Sequence, residues 1–435
     1  MPFPRDIGFL LFRLVFPALI IAMQYMLYRK ASRWFRERPP ENKGARRALA
    51  TAFIVFNAAL VAVAVFRPVL PEMSGWFKYL GAYPFFVWHG ATFFIGLVII
   101  VSTLLSLPVK FFAWAYRAAR RFFGPSPSPA TVPAVRESVD TSRRVFLRRS
   151  MYGLTAVSFA GSSYGVVFGR TSCEITRTDI ALAELPPGLE GLTIGLISDI
   201  HSSAFMPKHD MQRYVEVMNS LGVDLIVVTG DFVNSVLEEV YPFAEAFSDL
   251  RAPLGVYGVL GNHDFFSRRV DLVAKAVDDC GVKLLRNDRI TIERNGARLL
   301  LLGVDDVGRP AEASEAMTAT LRGAPDGMPR ILLCHRPYFL SQAVEHSMDL
   351  VLSGHTHGGQ VSLGSFGGTT IAPASLASKY VWGSYREGKT QMYVNRGIGT
   401  VGLPIRINCP PEITVLRLTG GAPAAFRVDD VVRIS

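Results

Sequence analysis

Four apolar stretches in the first 168 residues each approach the roughly 20 residues a helix needs to cross a bilayer. They cover residues 7–27, 48–66, 84–107 and 151–168. The first three hold no acidic residue in their cores; Arg13 and His89 are their only strongly polar intruders. Arg13 lies near an end, from which a long side chain reaches the interface, and His89 reads as a hydrogen-bonded structural residue. The segments between them are unequally charged. Residues 29–47 carry eight Lys and Arg and residues 110–149 carry nine, whereas residues 67–83 carry only Arg67 and Lys78. Lys and Arg favour the cytoplasmic side of a membrane. Placing both basic stretches inside puts the N-terminus and residues 67–83 outside. A fourth crossing then delivers everything after about residue 170 to the extracytoplasmic (periplasmic) side.

Composition supports a division at this point. Residues 1–150 hold 21 basic against 6 acidic residues, net +15, and residues 151–435 hold 25 against 30, net −5. The basic excess therefore belongs to membrane topology, and the acidic remainder argues against a nucleic-acid partner. The expected organisation is a three-helix transmembrane region over 1–110 and a basic cytoplasmic linker over 111–149. A fourth transmembrane or export-signal helix over 150–170 and a soluble domain over 171–435 complete it. Within the linker, residues 124–129 are alternating Gly, Pro and Ser, a composition of flexible spacers. Ser142-Arg143-Arg144-Val145-Phe146-Leu147-Arg148-Arg149, followed by a Gly/Ala/Ser-rich apolar run, resembles a twin-arginine signal, which implies the matching export machinery as a partner. The plainer alternative is a basic stop before an ordinary helix. Cys173, Cys280, Cys334 and Cys409 form no zinc-type pairs.

From Leu192 the pattern changes to short aliphatic runs that close on polar residues. Residues 192–197 end at Ser198-Asp199-Ile200-His201, 225–228 at Thr229-Gly230-Asp231, and 255–260 at Gly261-Asn262-His263-Asp264. Residues 331–333 end at Cys334-His335, and 350–352 at Ser353-Gly354-His355-Thr356-His357. Helical spacing fills residues 211–221, 238–250 and 268–279. Alternating strands and helices imply a largely parallel α/β sheet with binding groups at the carboxyl ends of its strands. Residues 298–302, 391–395 and 413–418 read as strands without intervening helices, which points to a second sheet packed on the first.

Five of the chain's eight histidines fall in these five clusters, a placement that indicates a metal centre. Carboxylate, amide and imidazole ligands without thiolate suit divalent Mn, Fe or Zn. Seven such ligands exceed the needs of one ion, and Asp231, directly after a buried run, is the natural bridge between two. Cys334, inside its apolar run, reads as core.

Asp199-x-His201, Gly230-Asp231, Gly261-Asn262-His263-Asp264, His335 and Gly354-His355-Thr356-His357 together resemble the calcineurin-like metallophosphoesterase superfamily, over about residues 190–420. Gly358-Gly359-Gln360, Asn395-Arg396-Gly397-Ile398-Gly399 and Cys409-Pro410-Pro411-Glu412 resemble its membrane-associated bacterial branch. The resemblance implies a two-sheet β-sandwich flanked by helices, here preceded by an all-α transmembrane region. It implies that Asp199, His201 and His357 hold one metal, that Asn262, His335 and His355 hold another, and that Asp231 bridges them. His263 is then the group that stabilises the phosphoryl oxygens or protonates the leaving oxygen. Many relatives orient that histidine with an Asp three residues after the bridge; here the position is Asn234, which leaves Asp264 as the expected carboxylate partner. Arg396 and Arg406 are candidate phosphate contacts, with structural pairing the competing role.

The expected activity is hydrolysis of phosphodiesters or phosphomonoesters by a two-metal-activated hydroxide. The location favours envelope or lipid-linked substrates. Two alternatives stand beside it. One is a pyrophosphate hydrolase of the kind that cleaves a nucleotide-linked diacylglucosamine, a cytoplasmic substrate. The other is a non-catalytic membrane sensor with the same fold.

Overall fold

The computed structural model describes residues 5–37, 42–66, 73–123, 137–366, 369–376, 378–421 and 430–434. The 124–129 spacer and residues 67–72 of the expected outer loop lie outside them. The chain forms two compact units, the first ending at Ser163 and the second beginning its main body at Tyr164. All four apolar stretches are helical, within Arg5–Arg36, Lys43–Phe66, Tyr83–Phe123 and Glu137–Val167. Among the described residues, Lys43–Phe66 and Gly75–Ala119 are long and apolar enough to cross a membrane. The helix Tyr83–Phe123 continues past the expected boundary at residue 110, and Glu137–Val167 begins before 150. Ala, Arg and Lys beyond the apolar run are good helix formers, so the backbone need not stop where the hydrocarbon would.

The second unit is built on two mixed sheets. The first has the order β15-β1-β14-β2-β3-β4-β5. Its strands are β1 (Cys173–Leu182), β2 (Thr193–Ile197), β3 (Leu225–Val228), β4 (Val256–Gly258), β5 (Lys283–Leu284), β14 (Glu412–Gly420) and β15 (Asp430–Ile434). The second has the order β12-β13-β9-β8-β7-β6. It comprises β6 (Asp288–Arg294), β7 (Ala297–Gly303), β8 (Arg330–Leu333), β9 (Leu350–Ser353), β12 (Gly383–Glu387) and β13 (Thr390–Val394). A small hairpin joins β10 (Ser365–Phe366) to β11 (Thr369–Thr370). Parallel pairing holds from β2 through β5 and across β7, β8, β9 and β13.

Both faces of each sheet are covered, which is why the strands read as unbroken apolar runs. Ile194, Leu196, Leu225 and Val227 from the first sheet meet Leu299, Leu301, Leu333, Leu352 and Tyr393 from the second. The alternate residues Ile197, Ile226 and Val228 turn outward onto Met211, Met218, Phe243 and Val273 of the covering helices. Leu300, Leu332, Val351 and Met392 do the same against Met317 and Leu340.

Two expectations are corrected here. The segment 413–418 belongs to the first sheet, because β14 pairs with both β1 and β2 and so closes what would be an open edge of β2. The runs ending at His335 and His355 belong instead to the second sheet, with β7 and β13. The polar clusters thus divide between sheets, three on one and two on the other.

Leu301→Ala, at a fully buried position between the sheets, should lower stability by about 2–5 kcal/mol through lost transfer energy and a residual cavity. Denaturant titration of the detergent-solubilised chain by intrinsic fluorescence measures it.

Candidate metal centre

Strand-to-strand packing brings the five clusters to one seam. Asp199 and His201 follow β2 and are held on the turn after β3: Asp199 N donates to Gly230 O at 3.0 Å and His201 N to Asp231 O at 3.0 Å. On the other sheet, Gly354 N donates to His335 O at 3.0 Å. The two ends are stitched together by His355 N, which donates to the Asp199 carboxylate at 2.9 and 3.1 Å. Gly354 permits this approach, since a side chain there would collide with Ser198 and Asp199.

The backbone is bent to this purpose. Asp199, His201, Asp231, His355 and His357 all have φ between 48° and 74°. A left-handed conformation costs a non-glycine residue of order 1–3 kcal/mol and is found where the surroundings hold a functional geometry.

The side-chain contacts fall into two groups that share Asp231. In one, His201 Nε2 lies 3.1 Å from His357 Nε2 and 3.4 Å from Asp231 Oδ2, and His357 Nε2 lies 3.3 Å from Asp199 Oδ1. In the other, His335 Nε2 is 3.2 Å from each of Asn262 Oδ1, His355 Nδ1 and Asp231 Oδ2. Ligands bound at about 2.0–2.2 Å to a common ion sit at about this mutual spacing. Asp199, His201, Asp231 and His357 are all buried, with ligand atoms within 4.8 Å of one another. His335 Nδ1 donates to Thr229 O at 2.8 Å, which fixes that proton and leaves Nε2 as the nitrogen facing the cluster, where it would carry either a second proton or an ion. The donor set therefore fits divalent metal.

Charge makes the same demand. Burial drives His201 down to about 3, and burial helped by neighbouring histidines leaves His355 and His357 well below the imidazole range. Neutral imidazole is the ligand form. Burial pushes Asp199 up to about 6. At Asp231 burial opposes ionisation, but His335 and the nearby histidines outweigh it and hold the carboxyl well below its usual range. His335 shows the converse: burial disfavours its charge, yet Asp231 and Asp199 raise it to about 10. A proton on His335 thus supplies the positive charge that a cation would supply.

His263 borders the cluster, its ring 4.5 Å from that of His201, and its backbone N donates to Asp231 Oδ1 at 2.8 Å. Its Nδ1 donates to the main-chain carbonyl of Asn234 at 2.5 Å. This corrects the expectation for Asp264. Both Asp264 oxygens are taken by backbone N–H groups of Asp231, Val233 and Gly261 at 2.8–3.1 Å, so that carboxylate shapes the Asp231 turn rather than aiming His263. The orienting group at position 234 is the carbonyl, which any residue type provides. Phe266 and Tyr338, which the sequence did not single out, place rings 4.9 Å from His263 and 5.4 Å from His355.

Arg396 and Arg406 are braces. Arg396 is buried between Glu412, at 3.1 Å, and Glu174, at 2.9 Å. Arg406 is fully buried and donates to the carbonyls of Arg396, Gly397, Gly399 and Cys409 at 2.6–3.2 Å. The loop so gripped lies on the first cluster: Ile398 N donates to Ser198 O at 3.0 Å and Gly399 N to Asp199 O at 2.8 Å. Cys409 Sγ contacts His357 O at 3.3 Å. Cys334 is buried, as core.

The calcineurin-like phosphoesterase family model matches residues 192–359. The metallophosphoesterase YkuE of Bacillus subtilis is 33% identical over 288 residues, 64% of this chain and 97% of its own. A zebrafish (Danio rerio) transmembrane protein with metallophosphoesterase domain is 32% identical, over 58% of each chain, so this chain spans little more than half of that relative. Phosphodiesterase YaeI of Escherichia coli is 30% identical over 51% of this chain and 80% of its own.

Arg406→Met would leave several buried carbonyls unpaired and should cost roughly 3 kcal/mol of stability. It should also weaken metal retention, which dialysis against a graded chelator followed by elemental analysis would quantify.

Proposed function

The chain belongs to the calcineurin-like metallophosphoesterases, and from that premise we propose that it is a membrane-associated hydrolase of phosphoric esters that works with two divalent ions. The observation that carries the two-ion reading is the pair of ligand groups meeting on Asp231 Oδ2, 3.4 Å from His201 Nε2 and 3.2 Å from His335 Nε2. When bound, such ions lower the pKa of water and neutralise charge on the phosphoryl oxygens. Asp199, His201 and His357 would hold one of them and Asn262, His335 and His355 the other, with Mn, Fe and Zn all compatible with the donor types.

The remaining work falls to the chain's own residues. The Asn234 carbonyl keeps a proton on His263 Nδ1. Nε2 is then the position that exchanges a proton with the departing oxygen. The bond from His263 N to Asp231 Oδ1 fixes the separation between this acid and the ligand cluster. Tyr338 and Phe266 flank the mouth and would seat the non-reacting part of the ester.

The basic stretches support a multi-pass arrangement with the hydrolytic domain outside the cytoplasm. Phosphodiesters of the envelope, lipid-linked ones included, are the substrates within reach there. The Arg143-Arg144 motif supports delivery by twin-arginine export. Both arginines lie within the helix Glu137–Val167.

His355→Ala should lose metal and lower turnover of bis(p-nitrophenyl) phosphate by at least about 10³-fold, as removal of a group essential to the transition state does. Elemental analysis alongside kinetics checks it, and near-normal turnover with full metal content would overturn the proposal. An alkaline phosphatase fused after Ser435 should be active outside the cytoplasm. An inactive fusion there, with a fluorescent protein at the same position glowing inside, would reverse the orientation.

A further inference from the structure

Between the last cluster histidine and β12 the chain makes an excursion that the hydrolytic chemistry does not require. Residues 361–366 and 369–376 carry the β10–β11 hairpin, closed by Leu363 N donating to Ile371 O at 2.8 Å, and then a short turn, Pro373–Leu376. Three of its large apolar side chains stand in solvent: Leu363 is 81% exposed, Ile371 47% and Leu376 93%. Isolated exposed leucines are ordinary, but here Leu363 and Ile371 pair across the hairpin and Leu376 follows within five residues, a density of exposed apolar side chains that is unusual outside interaction surfaces.

The excursion is fastened to the metal centre. Gly359, two residues past His357, lies where a side chain would collide with Ala372, and the Thr356 hydroxyl donates to the Val381 carbonyl. Its root rests on residues 405–407: Val361 bridges Ile407, and Ser362 N donates to Ile407 O at 3.0 Å. That same segment receives the start of the second unit. Arg406 N donates to Gly165 O at 3.3 Å, and Gly165 lies close against Ile405 and Ile407. Tyr164 and Phe168 beside it are exposed. Within this unit, then, the apolar hairpin and the end of apolar segment 151–168 share one support.

We infer that the β10–β11 hairpin and the turn after it, through Leu363, Ile371 and Leu376, dock into the headgroup–acyl boundary of a phospholipid bilayer and bring lipid-borne phosphodiesters to the metal centre. The substrate half of this statement rests on the function proposed above. The second unit's main body begins at Tyr164, inside apolar segment 151–168, so a bilayer entered by that segment would be the apolar medium nearest to this end of the chain. Exposed leucine at an interface partitions into the acyl boundary, while a basic residue at its edge meets phosphate. Lys379, exposed directly after the excursion, supplies that charge. Only Gly358, Gly359 and Gln360 separate His357 from the start of the excursion, so a lipid met by the hairpin would be delivered beside the ligand turn.

The test uses the full chain in phosphatidylcholine–phosphatidylglycerol vesicles. Cys280→Ala removes the one cysteine that is not buried. An environment-sensitive dye is placed at Leu376→Cys, or at Leu272→Cys on the helix Val270–Asp279 as reference. The dye at 376 should be quenched by acyl-chain nitroxide lipids and protected from iodide, with the reverse at 272. Equal iodide access at both positions would overturn the docking surface. Protection from both quenchers would also overturn it, in favour of a protein cover. In a second arm, Leu363→Ser with Leu376→Ser should lower the ratio of vesicle-borne to soluble phosphodiester turnover by about tenfold or more. An unchanged ratio would sink the substrate half. Lipid quenching without hydrolysis of any ester would keep the surface and remove the proposed function, and hydrolysis with an iodide-accessible hairpin would do the opposite.

Discussion

Two carboxylates, Asp199 and Asp231, are buried at the seam between the sheets, and their ion-pair partners among the described residues are histidines alone. No guanidinium or ammonium is spent on them. Buried charge without a fixed counter-charge is among the costliest things a fold can hold. Here the imbalance is met by a proton on His335 or by metal. The positive φ values at five ligand positions and the collision-free approach at Gly354 follow from building that imbalance deliberately.

The scaffold around the seam satisfies its own polar groups with ion pairs or main-chain hydrogen bonds, and the contrast is informative. Arg396 sits between two glutamates, while Arg406 spreads its donors over main-chain carbonyls. Asp264, pushed up to about 8 by burial and the neighbouring Asp231, is clasped by three N–H groups. These groups act on the ligands through backbone. Each sets the course of a loop rather than touching a reacting atom, and so each is as demanding of geometry as the ligands are.

Much of this was legible in the chain itself. Apolar runs ending in Asp, Asn or His announce buried strands with ligands at their ends, because both the hydrophobic period and the ligand types are local properties. The seven candidate positions read in this way lie together at the seam. What was not legible depends on pairing between distant segments. Nothing in residues 413–418 says that they close the edge of β2, and nothing near His335 says that its strand joins the other sheet. β1 escaped notice because its outward residues, among them Arg177 and Asp179, break the apolar pattern. Asp264 looked like a partner for His263 because sequence adjacency suggests contact, whereas a short helix from Asn262 to Phe266 turns the two side chains apart. The partner of His263 is a carbonyl, and carbonyls carry no sequence signature.

The division of the ligands between the sheets has a consequence for how the molecule matures. Asp199, His201, Asp231 and Asn262 are carried by one sheet, and His335, His355 and His357 by the other. Neither layer alone carries the whole set of candidate ligands, so tight loading of the proposed centre would wait for the layers to dock in register. Capture of an ion there would act as a rivet: binding only the assembled sandwich, it would shift the folding equilibrium toward that state. A slipped pairing that left every helix intact would still fail to hold the ion. Metal content would then gauge tertiary order in this protein.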